Sequence, residues 1–301
     1  MEILERIKRS INVYVRNDAK AAAIASAITN KDCSAQDLIK TEGFDQALLG
    51  ILPFRNDKEV NLPTRKFVDA FRQVIKFKKI NGILFLLCGP SAVGKDTIAS
   101  YTNSELYFDR MKIKYLKKYT TRRDRKSSKT EPTEKSADPS SGYTFYKDRN
   151  DLLSKNPDAI LGYSIYEDYY AFSEKHLLSE ESKDKALFCI YGRFEDIDKV
   201  KKKVFYEYNR IPFSILMKAS MSDLNIRTNN REALTDNEKV LRKDEMEKQV
   251  EYIERKKGIL PYEFDLILDN GNANSIKENE KKLTNFIKEC HTFYDEIKRK
   301  I

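Results

Sequence analysis

The sequence predicts an α/β fold: a parallel sheet with flanking helices, preceded by an α-helical N-terminal domain. Three observations carry that expectation. Residues 83 to 88, Ile-Leu-Phe-Leu-Leu-Cys, form a continuous apolar run, the composition of a central parallel strand buried on both faces. The run leads directly into the turn Gly89-Pro90-Ser91-Ala92-Val93-Gly94-Lys95, and a helical pattern follows to about Leu106. Further apolar runs, Ala186 to Tyr191, Phe213 to Ala219 and Phe264 to Leu268, alternate with helical patterns at about 194–204, 222–231, 239–257 and 275–298, as βαβ units do.

Residues 1 to 78 read as a series of helices. Ile3, Leu4, Ile7 and Ile11 recur at helical spacing, Ala19 to Ile28 is rich in strong helix formers, and Phe67, Val68, Phe71, Val74 and Ile75 make one stripe. Pro53 and Pro63 stand near the turns, and the segment holds no catalytic motif. The texture changes at Asn81-Gly82, which places a helical N-terminal domain at 1–78 and an α/β domain at 82–301. Residues 126 to 141, polar and rich in Pro and Ser, read as a mobile surface loop. No internal repeat is present.

Composition narrows the function classes. With 301 residues and 40% hydrophobic content, the chain can bury a sizeable core and is not expected to be disordered. The apolar run at 83 to 88 is far short of the roughly 18 to 20 residues that span a bilayer, so no membrane partner is expected. The charged amphipathic start, Met-Glu-Ile-Leu-Glu-Arg, has no apolar core of a signal peptide. Cys33, Cys88, Cys189 and Cys290 are isolated, and His176 and His291 are the only histidines. That argues against a zinc or histidine metal site and fits a reducing, cytoplasmic location. The net charge of +9 calls for an anionic partner. Residues 1–80 carry 15 Lys and Arg against 10 Asp and Glu, so nucleic acid stays open for that segment, beside the plainer reading of solvated lysine-rich helix faces.

Gly89-x4-Gly94-Lys95, set between a strand and a helix, matches the Walker A phosphate loop (P-loop) up to its last residue. Glycines let backbone N–H groups curl around an anion, the helix N-terminus adds positive potential, and the lysine reaches the β and γ phosphates. The expected ATP-binding residues are Gly89, Ser91, Ala92, Val93, Gly94, Lys95, Asp96 and Thr97. Asp96 stands where a magnesium-ligating Ser or Thr is usual. The Asp96 carboxylate and the Thr97 hydroxyl are the candidate Mg²⁺ ligands, since magnesium prefers oxygen. An ordinary strand-to-helix turn with a surface lysine is the alternative.

The order of motifs resembles the guanylate kinase family over about residues 82–290. The phosphate loop is followed by Thr120-Thr121-Arg122-Arg123-Asp124-Arg125, similar to T-T-R-x-x-R, by Gly142-Tyr143-Thr144-Phe145, similar to D-Y-x-F, and by Tyr169-Tyr170-Ala171-Phe172-Ser173, similar to Y-Y-G-[ST]-[ST]. The resemblance implies an inserted acceptor-binding subdomain at about 120–176 and a lid at about 222–242. It implies ATP and Mg²⁺ as cofactors, and Arg122, Arg125, Tyr143 and Tyr170 as the grip on an acceptor phosphate, a task that suits arginine's planar fork. It further implies that Arg227, Arg231 and Arg242 come down from the lid onto ATP and act with Lys95 in catalysis. A basic RNA-contacting loop around Arg122 and salt-bridging helix arginines in the lid remain the alternatives.

Base recognition departs from the family. Leu161, Phe172, Cys189 and Tyr191 fall where acidic and hydroxyl side chains would read guanine, with Glu167 or Asp168 as possible replacements in a shifted register. A site that loses its hydrogen-bonding partners changes or relaxes its specificity. The implied function is an ATP-dependent nucleoside monophosphate kinase, GMP being the acceptor by resemblance. The Gly-Lys-Asp sequence also resembles ribose 1,5-bisphosphate kinase, whose acceptor has no base, so a phosphosugar kinase is one alternative. A catalytically inactive binding module is another.

Overall fold

The structure, a computed structural model, describes residues 3–30, 33–52, 64–102, 113–122, 143–230, 234–271 and 275–298. The surface loop expected at 126–141, together with Pro53, Pro63, Arg125 and Arg231, lies outside these residues. Among the described residues, nine strands form two sheets.

The larger sheet holds β1 (Ile83–Cys88), β2 (Ile113–Tyr115), β7 (Ala186–Ile190), β8 (Ile211–Lys218) and β9 (Leu266–Asp269). They lie in the order β2-β7-β1-β8-β9, all pairs parallel. The expected strand at 213–219 begins two residues earlier and includes Pro212, paired with Leu84. A proline fits there because β9 joins β8 only from Ile215 onward, so the missing N–H faces no ladder on that side. Helices α9 (Ile197–Tyr206), α10 (Met221–Asn229), α11 (Asp236–Arg255) and α13 (Ser275–Lys298) flank the sheet close to the expected positions. A capping box between Thr235 and Glu238 fixes where α11 starts.

All six residues of β1 are buried, and strand alternation sends them into two separate cores. Ile83, Phe85 and Leu87 enter the first, which is completed by α1 (Ile3–Val15), α2 (Asp18–Thr29), α4 (Phe44–Ile51), α5 (Thr64–Lys78) and α13. Phe85 meets Phe213 at 5.8 Å and Phe286 at 6.3 Å, and Phe71 of α5 meets Phe293 of α13 at 5.3 Å. The N-terminal helices thus share one core with the sheet. Behind this layer Lys201 and Asp265 form a fully buried ion pair at 2.7 Å. Asp265 also accepts from the Ser214 N–H and hydroxyl, and the Lys201 ammonium lies 5.5 Å from the ring centre of Tyr14 on α1.

Leu84, Leu86 and Cys88 enter the second core, against the smaller sheet. It comprises β3 (Lys118–Thr120), β4 (Tyr143–Phe145), β5 (Ala159–Ile165) and β6 (Asp168–Ser173) in the order β4-β3-β6-β5, with β3 and β4 parallel and the other pairs antiparallel. Register places Lys118 between Tyr143 and Phe172, and Thr120 between Phe145 and Tyr170. The aromatic residues on that face belong to the second core, while Tyr119 and Ala171 pack oppositely with Tyr146 and Leu152. Short helices α7 (Arg149–Lys155) and α8 (Glu174–Leu177) border this sheet, α6 (Lys95–Thr102) follows β1, α3 (Ala35–Lys40) joins α2 to α4, and α12 (Leu260–Glu263) precedes β9.

Candidate active site

The glycine loop expected to bind phosphate leaves the C-terminal end of β1, at the centre of the sheet, where the backbone must turn sharply under close neighbours. Gly89 has φ +145°, and a Cβ there would stand 2.4 Å from the Met217 carbonyl oxygen; Gly94 has φ +96°, and its Cβ would stand 2.7 Å from Nδ2 of Asn270. Only glycine combines that conformation with that space. Asn270, buried just beyond β9, braces the loop: its Nδ2 donates to the Val93 carbonyl at 2.8 Å and its N–H to the Lys218 carbonyl at 2.8 Å. Lys95 opens α6, and its ammonium curls back over the loop, donating to the carbonyls of Gly89 at 2.7 Å and Pro90 at 2.6 Å.

A cavity of about 80 Å³ separates this loop from the smaller sheet. On the loop side it is lined by Gly89, Ser91, Ala92, Gly94, Lys95 and Asp96; facing them are Arg122, Tyr143 and Tyr170, with Arg242 closing over from α11. Ten of the expected site residues therefore meet in one space. Val93 is buried beneath the loop, and Thr97 is exposed on α6 outside the cavity wall. Arg227 also lies off the wall, donating from Nη2 to the Asn270 carbonyl at 2.7 Å. Leu161, Phe172, Cys189 and Tyr191 are buried in the second core. Glu167 and Asp168 border a neighbouring cavity instead, although the Tyr170 hydroxyl donates to Asp168 Oδ2 at 3.5 Å.

The two cavity arginines are held by rings. The Arg122 guanidinium lies 4.4 Å from the ring centre of Tyr143 and 5.7 Å from that of Phe145, and Arg242 lies 4.4 Å over Tyr166 while its Nη1 donates to the Ser91 hydroxyl at 2.9 Å. The Nε atoms of both are buried and, among the described residues, have no hydrogen-bond partner, a costly arrangement until an acceptor arrives. Burial works to lower the pKa of Arg122, but the fields of Tyr143, Tyr170, Asp96 and Asp168 outweigh it and raise the pKa instead. Tyr166 reaches Arg242 from a two-residue hairpin turn, Tyr166-Glu167, between β5 and β6, with φ of 55° and 68°.

Four contributors escape sequence reasoning: Asn270, Tyr163, Tyr166 and Lys118. Lys118 is buried beside the cavity, donating from Nζ to Tyr163 Oη at 2.9 Å, the Ile190 carbonyl at 2.8 Å and Tyr143 Oη at 3.5 Å. Rings of Tyr143, Tyr163, Tyr170 and Phe172 surround it at 4.7 to 5.4 Å. Burial lowers its pKa to about 7. The one available signal is alternation: Lys118 lies two residues before Thr120, on the same face of β3.

Among the described residues no group of three or more His, Cys, Asp or Glu side chains could hold a metal alone. The exposed Asp96 carboxylate on the cavity wall suits Mg²⁺, which commonly takes one or two protein carboxylates and completes its shell with water and substrate phosphate. A larger cavity, about 700 Å³, lies between α1 and α12, where Arg9, Arg16 and Lys256 alternate with Asp198 and Glu263. It contains neither a glycine loop nor a one-sign field, so chemistry rather than size selects the site.

The main sheet and its flanking helices define a mixed α/β protein with a glycine loop after its central strand. No family model matches the sequence, and no curated protein does. Among solved structures, guanylate kinase from Anaplasma phagocytophilum is similar over 70% of this chain and 87% of its own, with 19% identity and a TM-score of 0.44. A likeness of that size assigns no activity.

Proposed function

We propose that the protein is an ATP-dependent phosphotransferase that passes the γ-phosphoryl group to a phosphorylated small molecule, a nucleoside monophosphate by the motif resemblance. The observation that carries this reading is the convergence on one cavity of Lys95 with Arg122 and Arg242, two guanidiniums whose Nε atoms are buried. Amides of the loop and the first turn of α6 would hold the β and γ phosphates of ATP, with Lys95 released from its two carbonyls to meet them. Arg242 would exchange the Ser91 hydroxyl for a phosphate oxygen. Across the cavity, Arg122, Tyr143 and Tyr170 would orient the acceptor phosphate as nucleophile. Asp96 would hold Mg²⁺, which supplies charge neutralisation between the phosphates when bound.

The protein's share of catalysis is then positioning and electrostatic stabilisation, with no covalent intermediate on a side chain. Replacing Lys95 by Ala is expected to lower acceptor-stimulated ADP release by at least about 100-fold with the circular dichroism spectrum unchanged, the scale of losing one preorganised donor to the transition state. Full activity in that variant removes the assignment. An inactive binding module is the second reading, favoured by the apolar filling at Leu161 and Phe172. It requires that no acceptor stimulate ADP release.

A further inference from the structure

We infer that the acceptor is a compact phosphorylated polyol, a sugar phosphate and not a nucleotide, and that Lys118 is the residue that sets this choice. The inference replaces the nucleoside monophosphate of the motif resemblance and rests on the phosphotransferase reading for the chemistry; the pocket's selectivity stands on two observations of its own.

The first is what closes the cavity's inner end. Tyr163 packs against Tyr170 at 5.3 Å and Tyr191 at 4.7 Å, and Tyr191 lies 6.3 Å from Phe172. A planar base needs a slot between such rings, and here the Lys118 ammonium fills it, within 5.4 Å of four ring centres. The amine is anchored by the Ile190 carbonyl and by Tyr163, whose hydroxyl also accepts the Gly192 N–H at 2.9 Å. The second is the chemistry of the wall. Among the described residues that line the cavity, Asp96 is the only carboxylate and there is no carboxamide, so exocyclic amines and ring N–H groups of a base meet few acceptors.

What the wall offers is positive charge and hydroxyls. Lys95, Lys118, Arg122 and Arg242 face one carboxylate, an arrangement that favours a compact anion with hydroxyls close to its phosphate. Among the described residues Lys118 has no carboxylate in an ion pair with it: burial disfavours its charge most, Arg122 and Lys95 add to that, and Cys189 and Asp96 favour it. A phosphate drawn in beside Arg122 supplies the missing counter-charge, so acceptor binding should be accompanied by proton uptake near neutral pH.

The test uses the full chain. Ribose 5-phosphate, ribose 1-phosphate, glucose 6-phosphate, GMP and AMP are titrated calorimetrically without ATP, and each is then offered as acceptor with ATP and Mg²⁺. Sugar phosphates should bind in preference to both nucleotides by at least about 100-fold, the discrimination a site built on specific polar contacts achieves. Lys118→Met should weaken that binding by about 10-fold or more, as loss of a charged hydrogen-bonding group does, and raise the acceptor KM while the ATP KM holds. Tyr163→Phe, which keeps the ring and removes the amine's anchor, should shift acceptor KM in the same direction and covers the case in which Lys118→Met fails to fold. Preference for GMP or AMP overturns the inference and leaves the kinase reading standing. Selective sugar phosphate binding without turnover supports the pocket assignment and removes the kinase reading. Absence of binding by either class overturns the inference.

Discussion

At the scale of single residues, the site depends on groups held where they are uncomfortable. Lys118 is the sharpest case, with a pKa near 7 in the fold against an ordinary value of 10.5. Below pH 7 folded and unfolded chains both hold the proton, so the group adds no pH dependence. Between about 7 and 10.5 the unfolded chain holds a proton that the folded chain has released, and stability therefore rises with pH, by at most about 1.4 kcal/mol per unit. Measured by urea unfolding, the wild-type chain should gain stability relative to Lys118→Met as pH goes from 7.5 to 9.5; parallel curves would show that the ammonium is not strained. Gly89→Ala is expected to destabilise by several kcal/mol, since a Cβ 2.4 Å from the Met217 carbonyl oxygen adds steric conflict to an unfavourable φ. Thermal unfolding with and without ATP separates loss of fold from loss of binding.

Among the elements, what could be read from the sequence follows from how each strand earns its burial. The strand from Ile83 to Cys88 and its glycine loop stand out because a strand covered on both faces must be apolar throughout, and because Gly89 and Gly94 have no substitutes. The smaller sheet does not. Its strands β3 and β4 are three residues long, and they mix Lys, Thr and Tyr with Phe, so neither period nor hydrophobicity marks them. Lys118 looks in sequence like any surface lysine of a basic loop, and only pairing with β4 and β6 turns it inward. Arg242, expected from the motif resemblance to reach ATP, lines the cavity, whereas Arg227, expected there on the same ground, is drawn to the Asn270 carbonyl instead.

The hairpin between β5 and β6 carries a prediction at this scale. Its turn requires positive φ at two positions, yet holds Tyr and Glu where Asn-Gly would relax the strain. Glu167 is exposed, so Glu167→Gly should stabilise the protein by about 1 kcal/mol. Tyr166→Ala, by contrast, removes the ring under Arg242, and its expected effect is a raised ATP KM with little change in melting temperature. A neutral outcome for both would mean that the turn is neither strained nor engaged with the site.

For the whole molecule, the N-terminal helices behave as one wall of the α/β core. The Lys201–Asp265 pair lies beneath Tyr14, and the Ser10 hydroxyl on α1 reaches the Gly50 carbonyl at 2.6 Å and the Tyr262 carbonyl at 3.4 Å. Asp265→Asn should cost about 3 to 5 kcal/mol, because it leaves a buried ammonium without its partner. A chain starting at residue 81 should lose cooperative unfolding, since Phe85, Phe213 and Phe286 would then face solvent on one side. Recovery of a sharp thermal transition in the shortened chain would show instead that the two parts fold independently.

The contact between Ser10 and Tyr262 crosses 252 positions of sequence, and this sets the order of events during synthesis. The apolar faces of α1 and α4 emerge from the ribosome well before Phe286 and Phe293, which complete their core. At the usual ~5 to 20 residues per second, those faces wait ten seconds or more for their partners. Extra holding chaperone should therefore raise the yield of folded protein on expression by more than the finished protein's stability would suggest.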